Sequence, residues 1–233
     1  MGNEEKTMGV VILHGWTYST DLWQPFMNTL REKGFEIKLL KIPGLTEKLE
    51  TVWDINNYVD WLDQEIGKEK VILLGHSNGG RMALAYTLKY PEKVKNLILI
   101  DSAGIYHNDL PVRVKRFVFK TIAKLGRKIT ASQSLRKLLY KLSRESDYEN
   151  ASPVVKQTMV NLISFDLRNS LNQIKVPTLI IWGKNDKATP LSDGKLMHQL
   201  IPDSKMHIIE TARHSPQFTH VDEVVKTILK EIT

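Results

Sequence analysis

Cysteine is absent from this 233-residue chain. That removes disulfides, thiolate metal ligands and a cysteine nucleophile together, and it is compatible with a reducing cytosol. Long apolar runs are missing as well. No stretch approaches the ~20 residues that span a bilayer, so no transmembrane segment is expected. The start, MGNEEKTMGV, is polar and acidic, with no apolar core of the secretory type. The expected location is therefore cytoplasmic. Internal repeats and low-complexity linkers are lacking, and the scattered Asp, Glu and His residues show no metal-ligand spacing. Acid is scarce in one place. Between Pro111 and Glu145 eleven Lys or Arg face the single acid Glu145, a local +10 inside a chain of net +7, which leaves the remainder at about −3.

What is present is ordinary for a soluble domain: 42% apolar and 25% charged residues, in a chain long enough for one large core. Short apolar runs alternate with segments of helical period. Met8–Leu13, Phe35–Ile42, Val71–Leu74, Val94–Ile100, Val176–Trp182 and Lys205–Glu210 read as strands. Thr20 or Asp21 is placed to cap a helix through Leu22, Phe26 and Leu30. Asp54 is placed to cap another with Ile55, Tyr58, Val59, Leu62 and Ile66 on one face. A further helix lies around 192–200, and the amphipathic run Val221–Ile232 closes the chain. Such alternation implies an α/β fold, a mostly parallel central sheet covered by helices on both faces. The alternation breaks between 105 and 172, where only helical signals occur. Leu135, Leu138, Leu139 and Leu142 follow the helical period, and a more ragged apolar series runs around Phe117–Ile129. The expected organisation is a core of residues 1–104 and 173–233 with a helical insertion at 105–172.

The stretch with the most chemistry is KVILLGHSNGGRMALAY, from Lys70 to Tyr86. A buried strand runs into Gly75-His76-Ser77-Asn78-Gly79-Gly80 and then into a helix. This is the G-x-S-x-G strand–turn–helix that raises a serine above the C-terminal edge of a sheet. The glycines are required because the turn is too tight for side chains, and the helix N-terminus favours developing negative charge. A serine hydroxyl needs a base, and the base needs an acid to orient it. Both stand in loops directly after strands: Asp186 in Gly183-Lys184-Asn185-Asp186, and His214 in Thr211-Ala212-Arg213-His214. Asp101 also ends a strand and is the rival acid. His207 lies within a strand and His220 just before a helix, which assigns both to structure; His107 and His198 have no special context. Donors for an oxyanion are expected from the backbone N–H of Asn78 and, in the early loop His14-Gly15-Trp16, from that of Trp16. His14 reads as a loop organiser. His76 either lines the pocket or packs beneath it.

These motifs, LHGW, GHSNGG, WGKNDKATP and ARHSP, occur in an order that resembles the α/β-hydrolase fold family over nearly the whole chain, and microbial carboxylesterases in particular. The resemblance implies Ser77 as nucleophile, Asp186 as acid, His214 as base and the insertion as a cap over the pocket. It implies hydrolysis of a small-molecule ester through an acyl-enzyme, with no cofactor. Carbon–carbon bond hydrolysis and perhydrolysis on the same triad stay open, as does a non-catalytic ligand receptor on the same fold. Ser at position 77 argues against the haloalkane dehalogenases and epoxide hydrolases, which use Asp there. The basic segment is either a solvated face or a dock for an acidic carrier protein, an anionic substrate or a membrane surface. With no binding motif beside it, nucleic acid is not an expected partner.

Overall fold

The computed structural model describes residues 8–17, 19–107 and 151–232. The two helical series expected at 117–142 and the basic segment lie outside the described residues. Among the described residues six strands form one sheet: β1 (Met8–Leu13), β2 (Phe35–Leu39), β3 (Val71–His76), β4 (Val94–Ile100), β5 (Thr178–Gly183) and β6 (Ser204–Ile209). Their order is β2-β1-β3-β4-β5-β6 and every pairing is parallel. The chain steps outward from β1 to β2, then returns to β3 on the other side of β1. That reversal opens a crevice between the C-terminal ends of β1 and β3, the place where open α/β sheets hold ligands.

Parallel strands covered on both faces read as continuous apolar runs, and the residues divide by parity. Leu13, Leu73, Leu97, Leu99, Ile180 and Trp182 enter one core, with residues of α2 (Ile55–Ile66), α3 (Asn78–Lys89) and α5 (Leu191–Leu200). Val10, Ile12, Ile72, Leu74, Ile98, Ile100 and Ile181 enter the other, under α1 (Gln24–Glu32) and α6 (Val221–Ile232). The helix fourth in chain order, α4 (Pro153–Ser164), belongs to the 105–172 stretch and reaches the core through Leu162. It is tied to the loop before α2, because Trp53 N–H donates to Thr158 Oγ1 at 3.0 Å and Asn161 Nδ2 donates to Trp53 O at 3.1 Å.

Two local expectations are corrected. Neither Thr20 nor Asp21 caps a helix by its side chain. Instead Asp21–Trp23 forms a 3₁₀ turn, closed by Trp23 N–H to Thr20 O, before α1 begins. The tighter turn changes the phase of the apolar stripe. Leu22 points out at 69% exposure, and Trp23 fills the core beside Phe26, Met27 and Leu30. Asp54 does cap α2, accepting from Asn56 and Asn57 N–H while Asn57 Oδ1 accepts from Asp54 N–H.

Candidate active site

The loops after β1, β3, β4, β5 and β6 all leave the sheet at the same edge. The turn after β3 is the tightest. A Cβ on Gly75 would lie 2.5 Å from Gly80 Cα, and one on Gly79 would lie 2.1 Å from Leu13 O. Only glycine lets α3 start this close to β1 and β3. Ser77, between them, has φ 53° and ψ −120°, outside the regions open to most side chains. Its carbonyl accepts from Gly80 and Ala103 N–H, which pins the turn to α3 and to the loop after β4.

The β1 loop runs alongside. A Cβ on Gly15 would be 3.0 Å from Ser77 Cβ and 3.0 Å from His76 Nδ1, so a side chain at position 15 would press on the serine and the imidazole. His14 Nδ1 donates to Gly15 O at 2.7 Å and its Nε2 meets Thr46 Oγ1 at 3.2 Å. Burial holds its pKa below the ordinary value of 6.5, against the pull of the Gly15 carbonyl. It therefore organises the loop as a neutral group. Asn78 is the first residue of α3, and the first N–H groups of a helix have no internal acceptor.

The structure brings Asp186 and His214 together. His214 Nδ1 donates to Asp186 Oδ2 at 2.7 Å. That fixes the tautomer with Nε2 free to act as a base. Asp186 is saturated. Oδ1 accepts from Ala188 and Thr189 N–H, and Oδ2 also accepts from Thr189 Oγ1 at 2.7 Å. Burial alone would raise its pKa, but the bonds from His214, Thr189 and Ala188 outweigh this and hold the carboxyl below its usual value. No hydrogen bond joins Ser77 Oγ to His214 among the described residues. Such contacts are commonly loose before substrate is bound.

Asp101, the rival acid, stands 4.0 Å from His214 Nδ1 and has other partners. Its Oδ1 accepts from Gly183 N–H and its Oδ2 from Ser215 N–H, each at 2.8 Å. Fully buried, it is pushed up to about 7 by desolvation, although those two donors pull the other way. His76 is buried at the end of β3. Its ring centroid is 4.9 Å from that of His214, Trp23 and Phe218 pack around it, and its Nε2 is 3.1 Å from Ser215 Oγ. His76, Asp101 and His214 each offer a metal-ligating atom within 4.8 Å of the others. Protein partners already engage Asp101 through both oxygens, His76 through Nε2 and His214 through Nδ1, so this set reads as a scaffold for the His214 imidazole.

The remaining histidines pair elsewhere: His207 with Glu223, His220 with Thr211, His107 with Asp193 and His198 with Ser204. Sequence reasoning missed the part played by Asp101 and Ser215 in tying the loops. Their partners are backbone N–H groups and a buried imidazole, which leave no motif.

A strained serine at a glycine turn, a histidine oriented by a saturated carboxylate, and both at the C-terminal edge of a parallel sheet make up a candidate hydrolase-type site. Comparison with known proteins gives the class its family. A model of the alpha/beta hydrolase fold matches residues 10–221, and the chain belongs to that family. It is 30% identical to a 2-hydroxy-6-oxononadienedioate/2-hydroxy-6-oxononatrienedioate hydrolase of Escherichia coli, over 94% of this chain and 85% of that protein. It is 28% identical to a pimeloyl-[acyl-carrier protein] methyl ester esterase of Legionella pneumophila, over 92% of this chain and 91% of that one. Among solved structures, an alpha/beta hydrolase from the metagenome of lagoon sediments at Mar Chica, Morocco, matches with a TM-score of 0.67 at 25% identity, covering 97% of this chain and 90% of its own. No helix among the described residues is long and apolar enough to cross a membrane.

Proposed function

We propose that this α/β hydrolase is a serine esterase acting on carboxylic esters, with Ser77 as nucleophile, His214 as base and Asp186 as the acid that orients it. The observation that carries the reading is the 2.7 Å bond from His214 Nδ1 to Asp186 Oδ2, which leaves Nε2 as the proton acceptor at the edge where Ser77 stands. Ser77 Oγ attacks the ester carbonyl while His214 Nε2 takes its proton. The N–H groups of Trp16 and Asn78 receive the oxyanion, each worth about 2.7–4 kcal/mol by analogy with other acyl-transfer sites. His214 returns the proton to the leaving alcohol. It then takes one from water, which attacks the acyl-enzyme, and gives it to Ser77 Oγ as the acyl–oxygen bond breaks and the acid leaves. Every proton moves through His214, so the cycle calls on no cofactor.

Turnover of short p-nitrophenyl esters, with kcat/KM reduced about 10⁴-fold or more in Ser77→Ala, is the expected result. Ligand binding without turnover by the native chain would favour the receptor reading instead. A second reading rests on the relatives near 30% identity, whose names place them on oxo-dienedioates. Carbon–carbon hydrolysis would use the same serine, and faster cleavage of a vinylogous diketone than of any ester would move the assignment there.

The natural ester is proposed to be presented by an acidic carrier. The relative that acts on a carrier-linked methyl ester and the +10 segment at 111–145 both support this. Reversing Arg113, Lys115 and Arg116 should slow hydrolysis of a carrier-linked ester about tenfold or more at low salt and spare a small neutral ester. Equal effects on both would remove the carrier from the proposal.

A further inference from the structure

Enclosed polar atoms without a partner are rare in folded proteins, and each one asks for an explanation. Here they are not scattered. Apart from the amide of Gln217, on the turn after the His214 loop, all are N–H donors: Trp16 Nε1, Asn78 Nδ2, and Arg81 Nε and Nη1. Trp16 belongs to the loop beside Ser77, and Asn78 and Arg81 stand in the first turns of α3. Residues three apart share a helix face, and long helical side chains tend to lean back toward the helix N-terminus, which for Arg81 is the Asn78 and Ser77 end of α3.

Arg81 is the unusual member. It is only 4% exposed and forms no salt bridge or hydrogen bond among the described residues. Burial lowers its pKa to about 10, far above neutrality, so the guanidinium keeps its charge. A buried charge is normally paired. The acid that acts on it is Asp166, which is exposed and whose Oδ1 already accepts from Tyr106 and Arg168 N–H. Asp166 in turn holds the segment just after β4, through Tyr106 N–H.

We propose that Arg81, with Asn78 beside it and the Trp16 indole N–H facing the same space, forms a subsite for a carboxylate on the acyl half of the substrate. Among small free substrates the preferred ones are then half-esters of dicarboxylic acids; a carrier-linked ester, whose second carboxyl is taken up in the link, would not use this subsite. This rests on the ester reading for its chemistry, while the subsite itself can be tested by binding alone.

The kinetic test compares the p-nitrophenyl half-esters of succinate, glutarate and adipate with neutral esters of equal length. The native chain should favour at least one half-ester about tenfold or more. Arg81→Gln should cut that preference ratio by about 10–100-fold, the size of a lost charge-assisted hydrogen bond, and Arg81→Lys should retain part of it. A fall in both ester types together, with the ratio kept, would make Arg81 structural and overturn the proposal. The binding test uses the native chain. Glutarate should compete with a neutral ester and glutaramide should not; equal competition, or none by either, overturns the proposal. Calorimetry of glutarate on Ser77→Ala, with and without Arg81→Gln, separates the two readings. Binding that needs Arg81 in a chain that turns over no ester would sink the esterase and keep the subsite. Ester turnover with no charge preference would do the reverse.

Discussion

Ser77 holds φ 53° with ψ −120°, and a side chain in such a region costs about 1–3 kcal/mol. The strain is retained because the turn is fixed from three sides: by Ile100 O accepting from Ser77 N–H, by Ala103 N–H donating to Ser77 O, and by glycines that admit no side chain. Alanine at position 77 removes the hydroxyl and keeps the strain. Glycine removes both, at a cost of about 0.4–1 kcal/mol through the freer unfolded chain. Ser77→Gly should therefore be more stable than Ser77→Ala by roughly 1 kcal/mol, with both inactive, as read by urea unfolding. Equal stabilities would mean that the backbone relaxes when the hydroxyl leaves. At this scale the sequence was readable where residue type and geometry coincide, as at Gly75 and Gly79, where backbone contacts of 2.5 and 2.1 Å exclude any Cβ. It was unreadable at Arg81, because a lysine or arginine in a helix usually faces water, and only the packing reveals that this one does not.

Between elements, the loops after β4, β5 and β6 are joined by one carboxylate. Asp101 takes Gly183 N–H from the β5 loop that carries Asp186, and Ser215 N–H from the β6 loop that carries His214. Asp101→Asn keeps the volume but turns an amide NH₂ toward one of those donors. Leaving one buried donor unsatisfied costs about 1–3 kcal/mol. A shift of about 1 Å between base and acid can cost 10²-fold. The expected outcome is a lower melting temperature and a kcat reduced up to about 10²-fold, with KM changed far less. A fall in KM-controlled binding alone would show that the three loops hold their places without this strut. Period and alternation make the strands legible and place Asp101, Asp186 and His214 at one edge, since each follows a strand of a parallel sheet. They do not say which carboxylate meets the imidazole. That depends on the sheet order, in which β5 separates β4 from β6, and on the turn in which Ala188 and Thr189 N–H bind Asp186 Oδ1. The 3₁₀ turn at Asp21–Trp23 was hidden for a similar reason: one tightened turn swaps Leu22 for Trp23 without altering the apolar pattern that a helix would show.

For the molecule as a whole, buried titratable groups near the site make stability depend on pH in two opposing ways. Burial, with repulsion from His214 adding to it, holds His76 well below its ordinary value of 6.5. As pH falls below 6.5 the unfolded chain gains a proton that the folded chain refuses, and stability drops until the folded pKa is reached. Asp101 acts with the other sign. Its folded pKa of about 7 exceeds the ordinary 3.8, so between those values the folded chain holds a proton that the unfolded chain has released. Acidification across that window therefore adds stability. Each group contributes at most about 1.4 kcal/mol per pH unit. Removing one at a time separates them. Between pH 7 and pH 5, His76→Gln should lose less stability than the native chain, and Asp101→Asn should lose more, as measured by denaturant unfolding at each pH. Slopes that change in the same direction for both variants would mean that one of these groups is shifted in the fold with the opposite sign, and an unchanged slope that it titrates alike in both states. If the opposing slopes are found, the site combines a histidine held neutral and a carboxyl raised toward neutrality, both packed against the imidazole proposed to carry every proton of the reaction.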